Sequence, residues 1–326
     1  MPTLTERVAA GDRRALAQLI SRIEREDPLA QEILAELHAF TGRAAVVGVT
    51  GAPGTGKSTL VNALARTFRR GTAGEPPRTV GILALDPSSP FSGGALLGDR
   101  IRMRDLALDE GVFIRSMASR GCLGGLSRST FPAVRALDAA GFEMILIETV
   151  GVGQDEVDIA RQAQTVIVVE TPGLGDDIQA LKAGVLEIAD ILAVNKADLP
   201  GADAAAGSLR SMLDRSERTG SGWQTPIVPT VATDGRGVED LAAAVLSHRD
   251  HLRRSGEGER RERERAERDL EERLRARLFE RWHVAGAARL ADAAEKVARR
   301  ECSPEEAVKN LLNDDPSPAP LQNACP

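Results

Sequence analysis

The sequence predicts an α/β protein with a mostly parallel sheet and helices on both faces. Three observations predict it. Six short apolar runs, at residues 45–50, 80–85, 144–147, 165–169, 191–194 and 226–229, alternate with helical stretches. They are continuous rather than two-periodic, as strands covered on both faces are. A glycine-rich segment, 51–58, lies between the first run and a helical stretch at 59–68, the context of a phosphate loop. The 326 residues, 42% hydrophobic and 28% charged, suit one large α/β domain with appendages.

In chain order, residues 1–42 read as an N-terminal helical segment. Leu4, Val8, Leu16, Ile20 and Ile23 recur at helical spacing, broken at Gly11-Asp12, and Ile33, Leu34, Leu37 and Phe40 follow Pro28, so two helices are expected. Residues 43–252 form the phosphate-loop domain. Residues 253–313 change character. Eleven Arg face nine acidic residues between Arg253 and Arg281, with Glu257–Arg261, Glu259–Arg263 and Glu264–Arg268 four apart. Leu270, Leu274, Leu278 and Trp282 make one apolar seam. The reading is a salt-bridged helix that either folds back on its own domain or serves as a dimer or partner arm. Ser303-Pro304-Glu305-Glu306 opens a last short helix, and the Pro-rich tail 314–326 is expected to be disordered.

Composition narrows the function. A net charge of −6 argues against nucleic acid, whose phosphates need a basic face. Seven Phe, two Trp and no Tyr leave little for a base-stacking platform. Cys122, Cys302 and Cys325 form no CxxC pair and do not cluster with the four His, so neither a disulfide framework nor a structural zinc is expected. No apolar run approaches the 20 or so residues of a membrane span, and the N-terminus has no basic-then-apolar leader pattern. The expectation is a cytoplasmic protein with no membrane contact.

Gly51-Ala52-Pro53-Gly54-Thr55-Gly56-Lys57-Ser58 fits G-x-x-x-x-G-K-[ST] without a gap, and Thr59 follows. Backbone N–H groups of such a loop close on phosphate oxygens and the helix N-terminus adds positive potential. Lys57 is expected on the β- and γ-phosphates and Ser58 on Mg²⁺. Asn195-Lys196-Ala197-Asp198 follows the 191–194 run. A carboxylate at Asp198 accepts from both N1–H and the 2-amino group of guanine, which adenine does not offer, so GTP is expected over ATP. Asn195 would brace the loop and the Lys196 stem would cover the base. The run at 226–229 leads into Thr230-Val231-Ala232, a source for a backbone donor to the guanine oxygen.

Glu148-Thr149-Val150-Gly151 ends the 144–147 run, placing Glu148 to hold Mg²⁺ and the Gly151 N–H to meet the γ-phosphate. No Gln directly follows Gly151 to orient water, so slow hydrolysis is expected, with Gln154 a candidate or a solvent-facing side chain. Asp86 is either a turn-former before Pro87 or a Mg²⁺-shell group, and Asp99 either a helix N-cap or the same. The loop 171–182, with Asp176, Asp177, Gln179 and Lys182, reads as a mobile switch or a plain strand-to-helix connection.

Taken together, Gly51-Ala-Pro-Gly-Thr-Gly-Lys-Ser58, Asp86-Pro-Ser-Ser-Pro-Phe91, Gly93-Gly-Ala-Leu-Leu-Gly-Asp-Arg-Ile-Arg-Met103, Ile114-Arg-Ser-Met-Ala-Ser-Arg-Gly121, Glu148-Thr-Val-Gly-Val-Gly-Gln154 and Asn195-Lys-Ala-Asp198 resemble the MeaB/ArgK family of P-loop GTPases, to which the methylmalonic aciduria type A protein belongs. The likeness runs from about Leu4 to Leu312. It implies a SIMIBI-type GTPase, homodimeric through a C-terminal helical arm. Its implied role is a chaperone that gates loading and protection of adenosylcobalamin in an acyl-CoA mutase, methylmalonyl-CoA mutase foremost. It implies catalytic and Mg²⁺-shell roles for Lys57, Ser58, Asp86, Asp99 and Glu148, and a mutase-facing switch at 171–182 with Gln179 and Lys182 as contacts. Cobalamin is expected only through the partner, since the chain carries no Asp-x-His-x-x-Gly motif. The alternatives are a metal-insertion GTPase, for which the chain lacks a Cys/His depot, an accessory NTPase of amino-acid transport, and a binding module that barely turns GTP over.

Overall fold

The computed structural model describes residues 2–71, 75–86, 106, 108–118, 129–149, 151, 155–173, 187–215 and 222–313. The chain forms two compact units, residues 1–261 and 262–326.

The first unit is built on seven strands: β1 (Ala45–Thr50), β2 (Val80–Asp86), β3 (Val112–Ala118), β4 (Met144–Glu148), β5 (Thr165–Glu170), β6 (Ile191–Asn195) and β7 (Ile227–Thr230). Their order is β3-β2-β4-β1-β5-β6-β7, and every pair is parallel. Parallel pairing puts all carboxyl ends on one edge, so the loops leaving β1, β4, β5, β6 and β7 gather there, where ligands bind in open α/β sheets.

Helices cover both faces. On one lie α1 (Leu4–Ala9), α2 (Arg13–Glu24), α3 (Pro28–Leu37), α5 (Thr130–Ala139), α6 (Asp155–Gln162) and α7 (Ala202–Arg215), which share a core with Phe113, Ile145, Ile147, Val166, Val168, Leu192 and Val194. On the other lie α4 (Lys57–Arg70) and α8 (Val238–Ser255), packed on Val47, Val49, Val80, Ile82, Leu146, Ile167 and Val169. Alternate strand residues serve the two layers, so the inner strands are apolar over most of their length.

Two sequence expectations change. The N-terminal segment holds three α-helices, because Gly11 takes a φ of 79° and Asp12 then caps a new helix, its Oδ1 accepting from the N–H groups of Arg14 and Ala15 at 2.9 and 3.0 Å. Leu16, Leu19, Ile20 and Ile23 of α2 are buried, each stabilising the fold by about 1.5–3 kcal/mol. The sheet also has β3, which the apolar runs did not reveal. It is an edge strand whose Arg115 reaches α2, at Ser21 Oγ, 3.1 Å away, and at the Glu24 carboxylate, and that polar interruption hides it.

At the amino edge of the sheet, fully buried His248 sets its ring nitrogens 2.8 Å from Thr165 Oγ1 and 3.4 Å from Asp190 Oδ1. Trp223 Nε1 donates to the Asp190 carbonyl at 2.8 Å, and Arg261 donates to the Asp190 carboxylate at 3.4 Å. This cluster ties α8 and the first turn of α9 (Glu257–Ala298) to the starts of β5 and β6.

In the second unit, α9 continues and α10 (Pro304–Asn313) follows. Ser303 caps α10, its Oγ accepting from Glu306 N–H at 3.2 Å, and Arg289 donates to the Leu311 carbonyl at 3.3 Å. Leu270, Leu274, Leu278 and Phe279 are 55–66% exposed along α9, as are Val308 and Leu312 at 55% and 65% on α10. No helix among the described residues is long and apolar enough to cross a membrane.

Candidate nucleotide site

The site is assembled at the carboxyl edge, beginning with the loop between β1 and α4. Gly56 takes a φ of 90° at the N-cap of α4 and lies against the Asn195 side chain, so a side chain at residue 56 would displace that amide. Lys57 is buried, and its ammonium donates to the carbonyls of Gly51 at 2.8 Å and Ala52 at 2.9 Å. Thr55 Oγ1 donates back to Ala52 O at 2.9 Å, closing the loop on itself. The loop thus holds its lysine against its own carbonyls.

Beside it stands the end of β4. Ser58 Oγ donates to Glu148 Oε1, joining the first turn of α4 to a buried carboxylate. Thr149 Oγ1 donates to Thr50 Oγ1 at 2.9 Å, which locks β4 to β1 at the same level. Gly151 follows with a φ of 84°; a Cβ there would collide with the Gly51 carbonyl and crowd Lys57 Nζ. The close approach of these two loops therefore requires glycine.

The ends of β6 and β7 complete the site. Buried Asn195 donates through Nδ2 to Thr55 O at 2.8 Å, while its Oδ1 accepts from Thr230 Oγ1 at 3.3 Å and Ala232 N–H at 3.1 Å. Lys196 has a left-handed φ of 57°, a strained conformation for a residue with a side chain, and reaches Gly54 O at 2.8 Å. A cavity of about 250 Å³ opens here, lined by Gly56, Thr59, Asn195, Lys196, Asp198, Leu199, Val231, Ala232 and Thr233. It is a small recess with a single carboxylate among its lining residues, that of Asp198.

The structure brings together the whole 51–59 loop, Glu148, Gly151, Asn195, Lys196, Asp198, Thr230, Val231 and Ala232. The loop after β7 arrives with a difference: the N–H of Val231 is given to Arg236 O at 2.9 Å and that of Ala232 to Asn195. Asp86 ends β2, paired in register with Ala118 beside β4. Asp99, Gln154, Asp176, Asp177, Gln179 and Lys182 lie outside the described residues. Two lining residues escaped the sequence reading, Leu199 and Thr233. Each directly follows a residue that was read, Asp198 and Ala232, and that adjacency was the available signal.

Residues 16–287 match the family described as Methylmalonyl Co-A mutase-associated GTPase MeaB. The chain belongs to the MeaB family of GTPases. A Pyrococcus abyssi protein named as a GTPase is 49% identical over 82% of this chain and 82% of its own. The mitochondrial methylmalonic aciduria type A homolog of Mus musculus is 31% identical over 76% of this chain and 62% of its own. Among solved structures, one titled LAO/AO transport system kinase superposes with a TM-score of 0.73, at 24% identity over 95% of both chains. That last likeness shows the fold alone, a parallel sheet covered by helices.

Proposed function

We propose that this GTPase acts as a chaperone of an adenosylcobalamin-dependent acyl-CoA mutase, methylmalonyl-CoA mutase foremost, and that GTP hydrolysis times the loading and protection of the mutase's cofactor. The family's name supports the client, and the cavity joining Asp198 to the phosphate loop supports the nucleotide.

In this reading Asp198 accepts from the guanine N1–H and 2-amino group, the Lys196 stem covers one base face, and Asn195 holds both loops in register. The 51–58 backbone and Lys57 take the phosphates. The Ser58 hydroxyl and the Glu148 carboxylate, already bonded to each other beside that loop, are hard oxygen donors that suit Mg²⁺. Bound there, the ion would neutralise charge on the β- and γ-phosphates. Asp86 and Asp99 complete the acidic shell, and the Gly151 N–H meets the γ-phosphate. Water is oriented by Gln154 or by the partner, so turnover is slow until the mutase binds. Residues 171–182, with Asp176, Asp177, Gln179 and Lys182, carry the signal to the mutase. The exposed leucines of α9 make a homodimer seam, and cobalamin is met only through the client.

The deciding measurement is GTP turnover by the purified protein, alone and with an adenosylcobalamin-dependent acyl-CoA mutase from the same source. A slow rate that rises about tenfold or more, about 1.4 kcal/mol of barrier, is expected. A rate indifferent to every such mutase removes the chaperone reading and leaves the GTPase.

A further inference from the structure

The turn after β7 has a lock of its own. Val231 N–H donates to Arg236 O at 2.9 Å, and the N–H groups of Asp234 and Gly235 donate to Val231 O at 3.3 and 2.9 Å. Asp234 adds a side-chain clip: Oδ1 accepts from Arg236 N–H at 3.0 Å and Oδ2 from Arg236 Nε at 2.8 Å. The Arg236 backbone N–H first, and its guanidinium second, hold the Asp234 carboxyl below the usual carboxylate range. Just past the turn, Gly237 has a φ of 72°, and a Cβ there would collide with the Pro229 carbonyl, so the chain returns hard against β7. Both ends of a six-residue turn are fixed, and between them Ala232 and Thr233 line the cavity that Asp198 shares.

The two walls offer different chemistry. Asp198 presents a carboxylate, an acceptor for the N1–H and 2-amino edge of guanine. The turn presents backbone: the N–H groups of Val231, Ala232, Asp234 and Gly235 are bonded within the protein, and an N–H at Thr233 would suit the carbonyl at position 6 and repel the adenine amino group. Ala232 N–H donates to Asn195 Oδ1 at 3.1 Å, so the turn's position sets which backbone of Ala232 and Thr233 lines the cavity. The Asp234 clip braces the turn beside those backbone bonds, and Asp234 is not among the residues that line the cavity.

We propose that Asp234 is a positioning residue for base recognition: its clip on Arg236 sets where the Ala232–Thr233 backbone meets the 6-carbonyl of guanine, independently of Asp198. The proposal rests on the guanine-nucleotide reading above. It is tested by measuring affinities of the full-length protein for GDP, 6-thio-GDP and IDP. The first analogue weakens only the acceptor at position 6, and the second removes only the 2-amino group. Asp234→Ala should lower the preference for GDP over 6-thio-GDP by about threefold or more, the scale of one hydrogen bond, and leave GDP over IDP unchanged. Asp198→Asn should do the reverse. Asp234→Asn keeps the acceptor for Arg236 N–H and should retain most of the preference, which a loss of folding would not allow. The proposal is overturned if Asp234→Ala keeps the wild-type preference for GDP over 6-thio-GDP, or if both preferences fall together. A wild-type protein that binds ADP as tightly as GDP overturns the guanine reading itself, whereas a GDP-selective protein indifferent to Asp234→Ala overturns the clip alone.

Discussion

Asn195 donates its side-chain amide to the carbonyl of Thr55 at 2.8 Å, joining the base loop to the phosphate loop across 140 positions of sequence. The same amide's oxygen accepts from Thr230 and Ala232, so one buried side chain sets three loops relative to one another. Replacing it by Ala strands the Thr55 carbonyl and the Ala232 N–H together. Buried groups left unpaired cost about 1–3 kcal/mol each. Asn195→Ala should therefore weaken GDP binding about tenfold or more and lower the melting temperature, by calorimetric titration and thermal denaturation. Wild-type affinity in a folded variant would show that the bridge does not organise the site.

Asp198 is exposed at the cavity rim, so its substitution leaves the core intact. Asp198→Asn turns an acceptor into an amide with a donor. It should lose affinity for GDP and gain it for the xanthosine nucleotide, whose carbonyl at position 2 matches that donor. Competition between the two diphosphates reads the exchange, and an unchanged ratio counts against the base role of Asp198.

Along α9 the apolar seam is exposed, Leu274 by 60% and Leu278 by 55%, on a helix laced with Arg–Glu and Arg–Asp pairs. A charge in that seam leaves the helix nothing to lose by itself but prevents close packing against a second copy. Leu274→Glu with Leu278→Glu should yield monomers by light scattering, with GDP affinity retained. A dimer of undiminished strength would place the subunit contact elsewhere.

Acid stability has a local source in Asp109. Arg69 donates to both its carboxylate oxygens, Nε at 2.9 Å and a terminal nitrogen at 2.8 Å, and holds the carboxyl below the usual range, with help from Gly111 N–H. A depressed folded value means the contribution is complete above the unfolded value, about pH 4, and is lost as the pH falls through the folded one. The melting-temperature gap between the wild type and Asp109→Asn should be full at neutral pH and close below about pH 4. A gap that persists in strong acid would assign the effect to packing instead.

The apolar runs located six strands because a strand buried on both faces needs apolar residues at every position. They stopped short for the same reason. β2, β4, β5 and β6 each run one residue further, to Asp86, Glu148, Glu170 and Asn195, polar groups that hydrophobicity leaves out. Edge strand β3 was hidden by Arg115, whose partners Ser21 and Glu24 lie more than 90 positions away.

By itself the sequence determined the phosphate loop, the guanine motif and the parallel α/β class. Each is a local pattern: glycines where backbone must approach phosphate, a carboxylate after a strand, apolar runs between helices. Only the tertiary structure decided the rest. The order β3-β2-β4-β1-β5-β6-β7 brings Ser58 onto Glu148, Asn195 onto Thr55, and the Asp234 turn to the cavity. Those meetings depend on which strands lie side by side, and strand order is set by packing across the whole sheet.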